Sequence, residues 1–140
     1  MSSLKISGLY AITPDLNHTN DLLNKTRQVL EGGVKLVQYR NKSANDSLRR
    51  EQAKLLLPLC REHNALLIIN DHLEIAIEID ADGVHVGKND VPVSAAKNLL
   101  GHNKIVGTSC YNQLGLAKQA QKDGADYIAF GAFFSSLTKP

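Results

Sequence analysis

The chain is short of the residues that mark secreted, metal-stapled or nucleic-acid-binding proteins. It has two cysteines, Cys60 and Cys110. They make neither a disulfide framework nor a metal-ligand spacing, and so point to a reducing cytosol. The net charge is only +2, and Lys and Arg are dispersed rather than clustered, which leaves no footprint for a nucleic acid. The opening Met1-Ser2-Ser3-Leu4-Lys5-Ile6-Ser7 has no long apolar signal core. No run approaches the roughly 20 apolar residues of a membrane span. These absences predict a soluble, cytoplasmic protein.

What is present is an ordinary globular composition. The 140 residues are 43% hydrophobic and 21% charged, enough for one domain over residues 1–140 with a real core. Strand candidates run over 8–12, 34–40, 65–69, 82–86, 104–108 and 126–130. Helical periodicity covers 19–30, 45–63, 73–79, 94–100 and 114–122. Leu48, Gln52, Leu55, Leu56 and Leu59 recur at spacings of three and four. Gly32-Gly33, Gly101 and Gly124 stand where left-handed C-caps are expected, and Asp46, Asp71 and Ser94 where N-caps are expected.

Runs such as Leu66-Leu67-Ile68-Ile69 are apolar on both faces, the mark of a parallel sheet covered by helices. The phrases Glu31-Gly32-Gly33-Val34, Asp80-Ala81-Asp82-Gly83-Val84 and Asp123-Gly124-Ala125-Asp126-Tyr127 repeat one short helix-to-strand turn. No nucleotide-type Gly-rich loop follows the first strand. The fold expected is therefore a (β/α)8 TIM barrel, here its first six βα units, rather than an open doubly wound sheet. A full barrel takes eight strands and typically ~250 residues. Two units are thus expected to be missing, with two parallel edges left open.

The candidate chemistry lies at strand ends. Residues two apart share a strand face, so Gln38, Arg40 and Lys42 line up where the second strand leaves the sheet. Arg40 offers a planar fork of donors suited to phosphate, and Lys42 a mobile point charge. The next two strands run out into Asn70-Asp71 and into Gly83 to Asp90. Carboxylates from adjacent strand ends, joined by diphosphate oxygens and waters, make a normal Mg2+ site. Read alone, Asp71 is better explained as a helix N-cap and Asp90 as a turn residue; the pair reverses those odds. His85 alone reads as a hydrogen-bonded structural histidine.

With these motifs the chain resembles the thiamine-phosphate synthase family, from Gly8-Leu9-Tyr10-Ala11-Ile12-Thr13 to Thr138-Lys139. The Gln38-x-Arg40-x-Lys42 row, Asn70-Asp71, the Gly-x-His-x-Gly-x-x-Asp run from Gly83 to Asp90, Ser109, and the segment Gly131 to Lys139 carry the likeness. Ala132, Ser135-Ser136 and Tyr111 depart from the family pattern. The resemblance implies a transferase that condenses 4-amino-2-methyl-5-hydroxymethylpyrimidine diphosphate with 4-methyl-5-hydroxyethylthiazole phosphate. Thiamine phosphate and pyrophosphate are the implied products, formed by Mg2+-assisted dissociative substitution. It implies catalytic roles for Arg40, Lys42 and Lys139, and metal ligation by Asp71 and Asp90. Substrate contacts are implied for Gln38, Tyr39, Arg40, Asn41, Lys42, Asn70, Ser109, Ser136, Leu137, Thr138 and Lys139. Two other readings stand beside it, a thiazole tautomerase-like barrel and a non-catalytic diphosphate-binding remnant. The implied partners are the two small-molecule substrates, with no nucleic acid and no membrane, and a homo-oligomer is left open.

Overall fold

The computed structural model describes residues 6–87 and 90–131. Strands and helices alternate: β1 Tyr10–Ile12, α1 Thr19–Glu31, β2 Leu36–Tyr39, α2 Asp46–Glu62, β3 Leu66–Asn70, α3 Leu73–Ile79, β4 Gly83–Val86, α4 Val93–Leu100, β5 Ile105–Tyr111, α5 Leu114–Lys122 and β6 Tyr127–Phe130. All neighbouring strands pair in parallel, in the order β1-β2-β3-β4-β5-β6. Sequential parallel strands joined by helices are the βα repeat of a barrel wall, as the alternation of apolar runs predicts.

The period-two geometry of the strands sorts their side chains into two cores. Val37, Leu67, Ile69, Val84 and Val106 point outward and pack with Leu22, Leu56, Ile75 and other apolar residues of the helices. The alternate positions Leu36, Ile68 and Ile105 point inward and cluster with Tyr10 and Tyr127. Each fully buried Leu or Ile contributes about 1.5–3 kcal/mol, so the outer core dominates. The inward faces of β1 and β6 meet where the Tyr10 and Tyr127 rings make an edge contact, centroids 5.5 Å apart. That contact shows the curl: a flat six-stranded sheet would hold its edge strands far apart.

Several caps differ from expectation. Asn45, not Asp46, caps α2, its side chain accepting from Leu48 N–H. His72, not Asp71, precedes α3, and Pro92 precedes α4, with Ser94 already inside that helix. Asn45 caps with its own side chain, whereas His72 and Pro92 make no side-chain cap hydrogen bond, so at α3 and α4 loop geometry rather than a polar cap sets the entry. Gly33, Gly101 and Gly124 take positive φ as expected, whereas Gly32 is right-handed.

The repeated helix-to-strand phrase has a physical cause. Asp82, just before β4, accepts from Leu67 N–H of β3 at 2.7 Å and pairs with Arg61 of α2. Asp126, just before β6, accepts from Val106 N–H of β5 at 2.8 Å and pairs with Lys97 of α4. One aspartate thus ties a strand start to the preceding strand and the helix before it, twice.

Candidate active site

At the exit of β2 the chain alternates between two environments. Gln38 and Arg40 face inward and line a cavity of about 430 Å3 together with Tyr10, Ile12, His85, Ser109 and Tyr127. Tyr39 and Asn41 face outward and are buried against α2. The Tyr39 hydroxyl donates to Gln52 Oε1 at 2.6 Å, and Asn41 Nδ2 donates to the same oxygen at 3.0 Å. Gln52 Nε2 in turn donates to Leu16 O at 2.8 Å. Burial pushes the Tyr39 phenol up to about 12. The Tyr39 and Asn41 side chains, two of the positions expected to contact substrate, are turned away from the cavity by strand alternation and brace the loop from behind.

Arg49 finishes that brace. Its Nη2 donates to Asn41 O at 3.2 Å and Ala44 O at 2.7 Å, and Nη1 pairs with Asp46 at 2.9 Å. From the other side, Thr13 Oγ1 accepts from Arg40 N–H at 3.0 Å. Asp15 Oδ1 accepts from Lys42 N–H at 3.2 Å and stands 3.6 Å from Arg40 Nη1. The two cation-bearing positions are fixed by their backbone, which leaves little ordering entropy to be lost when they engage an anion.

Above them, the structure brings Lys42, Asp71 and Asp90 together. Lys42 Nζ forms an ion pair with Asp71 Oδ2. Asp71 takes φ +64, an uncommon conformation for a residue other than glycine. Its amide donates to His85 O at 2.8 Å, which sets the turn. Asp90 Oδ2 accepts from Gly87 N–H at 2.7 Å. Burial pulls the Asp71 carboxyl upward, but hydrogen bonds with Lys42 and Asp90 outweigh it and hold Asp71 below its ordinary value. Burial, then the hydrogen bond with Asp71, push Asp90 the other way, above its ordinary value. Asp71 is thus no helix cap. The two carboxylates meet and interact.

That donor set fits a hard divalent cation. Two carboxylates at one point repel each other, and a cation relieves the repulsion while using oxygen ligands it prefers. Among the described residues no group of three or more His, Cys, Asp or Glu is gathered to hold a metal. The pair therefore suits an ion that takes its remaining ligands from water and from the oxygens of a bound anion. Asn70, buried at the end of β3, lies in register with His85 of β4.

Below the mouth, polar side chains cross the barrel. Gln38 Nε2 donates to Tyr10 Oη at 3.0 Å, Tyr10 Oη lies 2.6 Å from Tyr127 Oη, and Tyr127 Oη lies 2.7 Å from His85 Nδ1. His85 Nε2 lies 2.8 Å from Ser109 Oγ. His85 is thus the hydrogen-bonded histidine its isolation suggests, and Ser109 faces the cavity. Burial pushes both the Tyr10 and the Tyr127 phenols upward, so both stay protonated at neutral pH. Sequence reasoning missed Tyr10, Tyr127, Asp15, Arg49 and Gln52. Tyr10 and Tyr127 begin strands, where an aromatic residue reads as core; only inward parity marked them.

Ser136, Leu137, Thr138 and Lys139 lie outside the described residues, as do Lys88 and Asn89 of the run ending at Asp90. Tyr111 ends β5 at a register irregularity with φ +53. Cys60 and Cys110 are buried, and burial raises both thiols, Cys60 to about 12, so neither is poised as a thiolate.

The fold and this mouth define a βα-barrel protein whose strand ends gather cations and a carboxylate pair. A family model described as thiamine monophosphate synthase matches residues 9–140, and the chain belongs to that family. It is 55% identical over 135 residues to a thiamine-phosphate synthase of Nitrosospira multiformis, covering 96% of this chain and 58% of that protein. It is 54% identical over 139 residues to one of Nitrosomonas eutropha, covering 99% of this chain and 66% of that protein. A solved thiamine phosphate pyrophosphorylase from Pyrococcus furiosus superposes with a TM-score of 0.78 at 38% identity, covering 89% of this chain and 60% of that one. The chain thus spans between 58% and 66% of the length of these relatives.

Proposed function

We propose that this chain forms the diphosphate-binding part of a thiamine-phosphate synthase. The reaction joins 4-amino-2-methyl-5-hydroxymethylpyrimidine diphosphate to 4-methyl-5-hydroxyethylthiazole phosphate, giving thiamine phosphate and pyrophosphate. The observation that carries the reading is the Lys42–Asp71–Asp90 cluster at the mouth, beside a cavity that holds Gln38 and Arg40. It is supported by the names of the relatives.

Arg40 and Lys42 hold the diphosphate and favour the charge that gathers on pyrophosphate as the carbon–oxygen bond breaks, so they act most strongly on the transition state. Gln38, and Asn70 at the end of β3, orient the substrate. Asp71 and Asp90 hold Mg2+, which when bound supplies Lewis-acid neutralisation of the diphosphate. The electron-rich aminopyrimidine carries the positive charge left on its methylene, and the thiazole nitrogen then attacks. No protein nucleophile is needed. Ser109 contributes a hydroxyl at the cavity, and the resemblance adds Ser136, Leu137, Thr138 and Lys139 on the thiazole-phosphate side. Among the described residues no helix is long and apolar enough to cross a membrane. We place the protein in the cytoplasm with its small-molecule substrates.

The test is a thiamine-phosphate formation assay on this polypeptide with both substrates and Mg2+, beside a calorimetric titration with the pyrimidine diphosphate. Turnover supports the full reading. Binding without turnover assigns this chain the diphosphate half alone. Absence of both overturns it.

A further inference from the structure

The segment that carries Gln38, Arg40 and Lys42 runs on past the backbone pairing of β1 with β2. Regular pairing ends with Ile12 opposite Gln38, and Thr13 N–H still donates to Gln38 O at 2.9 Å. In a continuing parallel ladder, Arg40 N–H would donate to Thr13 O and Arg40 O would accept from Asp15 N–H. Lys42 N–H would then donate to Asp15 O. Side chains make these three bonds instead. Thr13 Oγ1 accepts from Arg40 N–H at 3.0 Å and donates to Arg40 O at 3.2 Å. Asp15 Oδ1 accepts from Lys42 N–H at 3.2 Å. Two polar side chains after β1 thus carry the spacing of the ladder on to Lys42.

We propose that Asp15 is a positioning residue of the site: its carboxylate holds the Lys42 backbone beside the Arg40 guanidinium, so that both cations are placed before a diphosphate arrives. Arg40 Nη1 lies 3.6 Å from Asp15 Oδ1, and the Asp15 side chain is 38% exposed. At that exposure the ion pair itself contributes little. The bond to the Lys42 amide acts on the chain, at the turn from which the Lys42 side chain reaches Asp71. The inference rests on the reading of the mouth as a diphosphate site. It adds to that site a residue whose own charge repels the anion, and which contributes through an acceptor oxygen rather than through attraction.

The neighbouring contacts support this placement. Leu16 O accepts from Asn41 Nδ2 at 3.0 Å and from Gln52 Nε2 at 2.8 Å. From the side of α2, Arg49 Nη2 donates to Asn41 O and Ala44 O. Asp15 follows Pro14, whose ring fixes φ and narrows the conformations open to the segment. A carboxylate on so restricted a segment loses little freedom in holding the Lys42 amide.

The experiment compares two variants of the whole chain. Asp15→Ala removes the acceptor, whereas Asp15→Asn keeps an acceptor oxygen and removes the charge. Amide exchange by NMR reads the Lys42 N–H, and calorimetric titration with inorganic pyrophosphate and Mg2+ reads the site. Exchange at Lys42 should be slow in the unaltered chain, faster in Asp15→Ala and slowed again in Asp15→Asn. Pyrophosphate affinity should fall about 3- to 10-fold in Asp15→Ala, the worth of one hydrogen bond. In Asp15→Asn it should return to within about 2-fold, because an exposed charge pair is worth little. The urea midpoints of both variants should stay close to that of the unaltered chain. Unchanged affinity in Asp15→Ala overturns the proposal, as does an equal loss in both variants. So does a Lys42 amide that exchanges alike in all three chains, or a urea midpoint that falls in step with affinity. A Lys42 amide that responds as expected in a chain that binds no pyrophosphate refutes the functional reading, while the hold of Asp15 on the backbone stands.

Discussion

Arg61 grips Asp82 with both guanidinium nitrogens, at 2.7 and 3.0 Å, while the same carboxylate accepts from the amide of Leu67 at 2.7 Å. Helix α2, the end of the α3–β4 turn and strand β3 are joined at that one group. Substituting Asp82 by Ala leaves a buried N–H in β3 without its acceptor. The expected loss is about 2 kcal/mol in a urea unfolding experiment. Arg61→Ala, whose side chain is 46% exposed, should cost less because the Leu67 amide keeps its acceptor.

Gly107 is required by shape. The 1.9 Å approach of an added Cβ to Tyr127 means that Gly107→Ala must push the ring into the cavity or the strand aside. The expected cost is about 1–3 kcal/mol, as for other overpacked cores. Combining it with Tyr127→Ala should recover part of the strain relative to the sum of the two single changes, which a double-mutant cycle on unfolding free energies measures.

Asp71 and Asp90 are expected to titrate as a pair. Asp71 lies below its ordinary value and Asp90 above it. The Asp71 contribution to stability is thus present above its unfolded pKa and lost as pH falls through its lowered folded value. Asp90 has the opposite sign: its contribution is present in acid and lost as pH rises through its raised folded value. Asp71→Asn removes the neighbouring negative charge, so the Asp90 carboxyl should titrate at lower pH, read by carbon NMR of its carboxyl signal. An Asp90 midpoint that stays put sinks the pairing.

Arg40→Ala and Lys42→Ala separate function from stability. Each removes a cation from the proposed diphosphate site, and turnover is expected to fall about 100-fold or more. The Lys42 side chain is half exposed, so Lys42→Ala should change unfolding stability by no more than about 1 kcal/mol. Near-normal turnover in Arg40→Ala would refute its role, and parallel losses of stability and activity in Lys42→Ala would make that residue structural.

Gln52→Leu tests the brace behind the site. It leaves the Tyr39 hydroxyl and Asn41 amide without the buried oxygen they share. Stability should drop by about 2–4 kcal/mol, and diphosphate affinity should fall with it, because Arg40 and Lys42 lose their fixed backbone. Calorimetry at a temperature where the variant is fully folded distinguishes the two effects.

Much of this was legible from residue order. Strands and helices fall within a few residues of where periodicity puts them, because apolar spacing is a local property of the chain. The Gln38-Arg40-Lys42 row and the Asn70-Asp71 and Gly83 to Asp90 motifs were visible for the same reason. Parity within the β2 exit should have separated Tyr39 and Asn41 from Gln38 and Arg40; their place inside a motif hid it. The helix caps at Asp46, Asp71 and Ser94 were misplaced because a cap depends on the angle at which the loop enters, which composition does not encode.

Residue order alone therefore determined the βα repeat, the faces of its strands and the types of side chain at the strand ends. Only the tertiary structure decided which of those side chains meet. The curl of the sheet joins Tyr10 to Tyr127, and the turns after β3 and β4 bring Asp71 and Asp90 to Lys42. Periodicity follows from the covalent chain, whereas contacts across a barrel depend on twist and register summed over every strand between them.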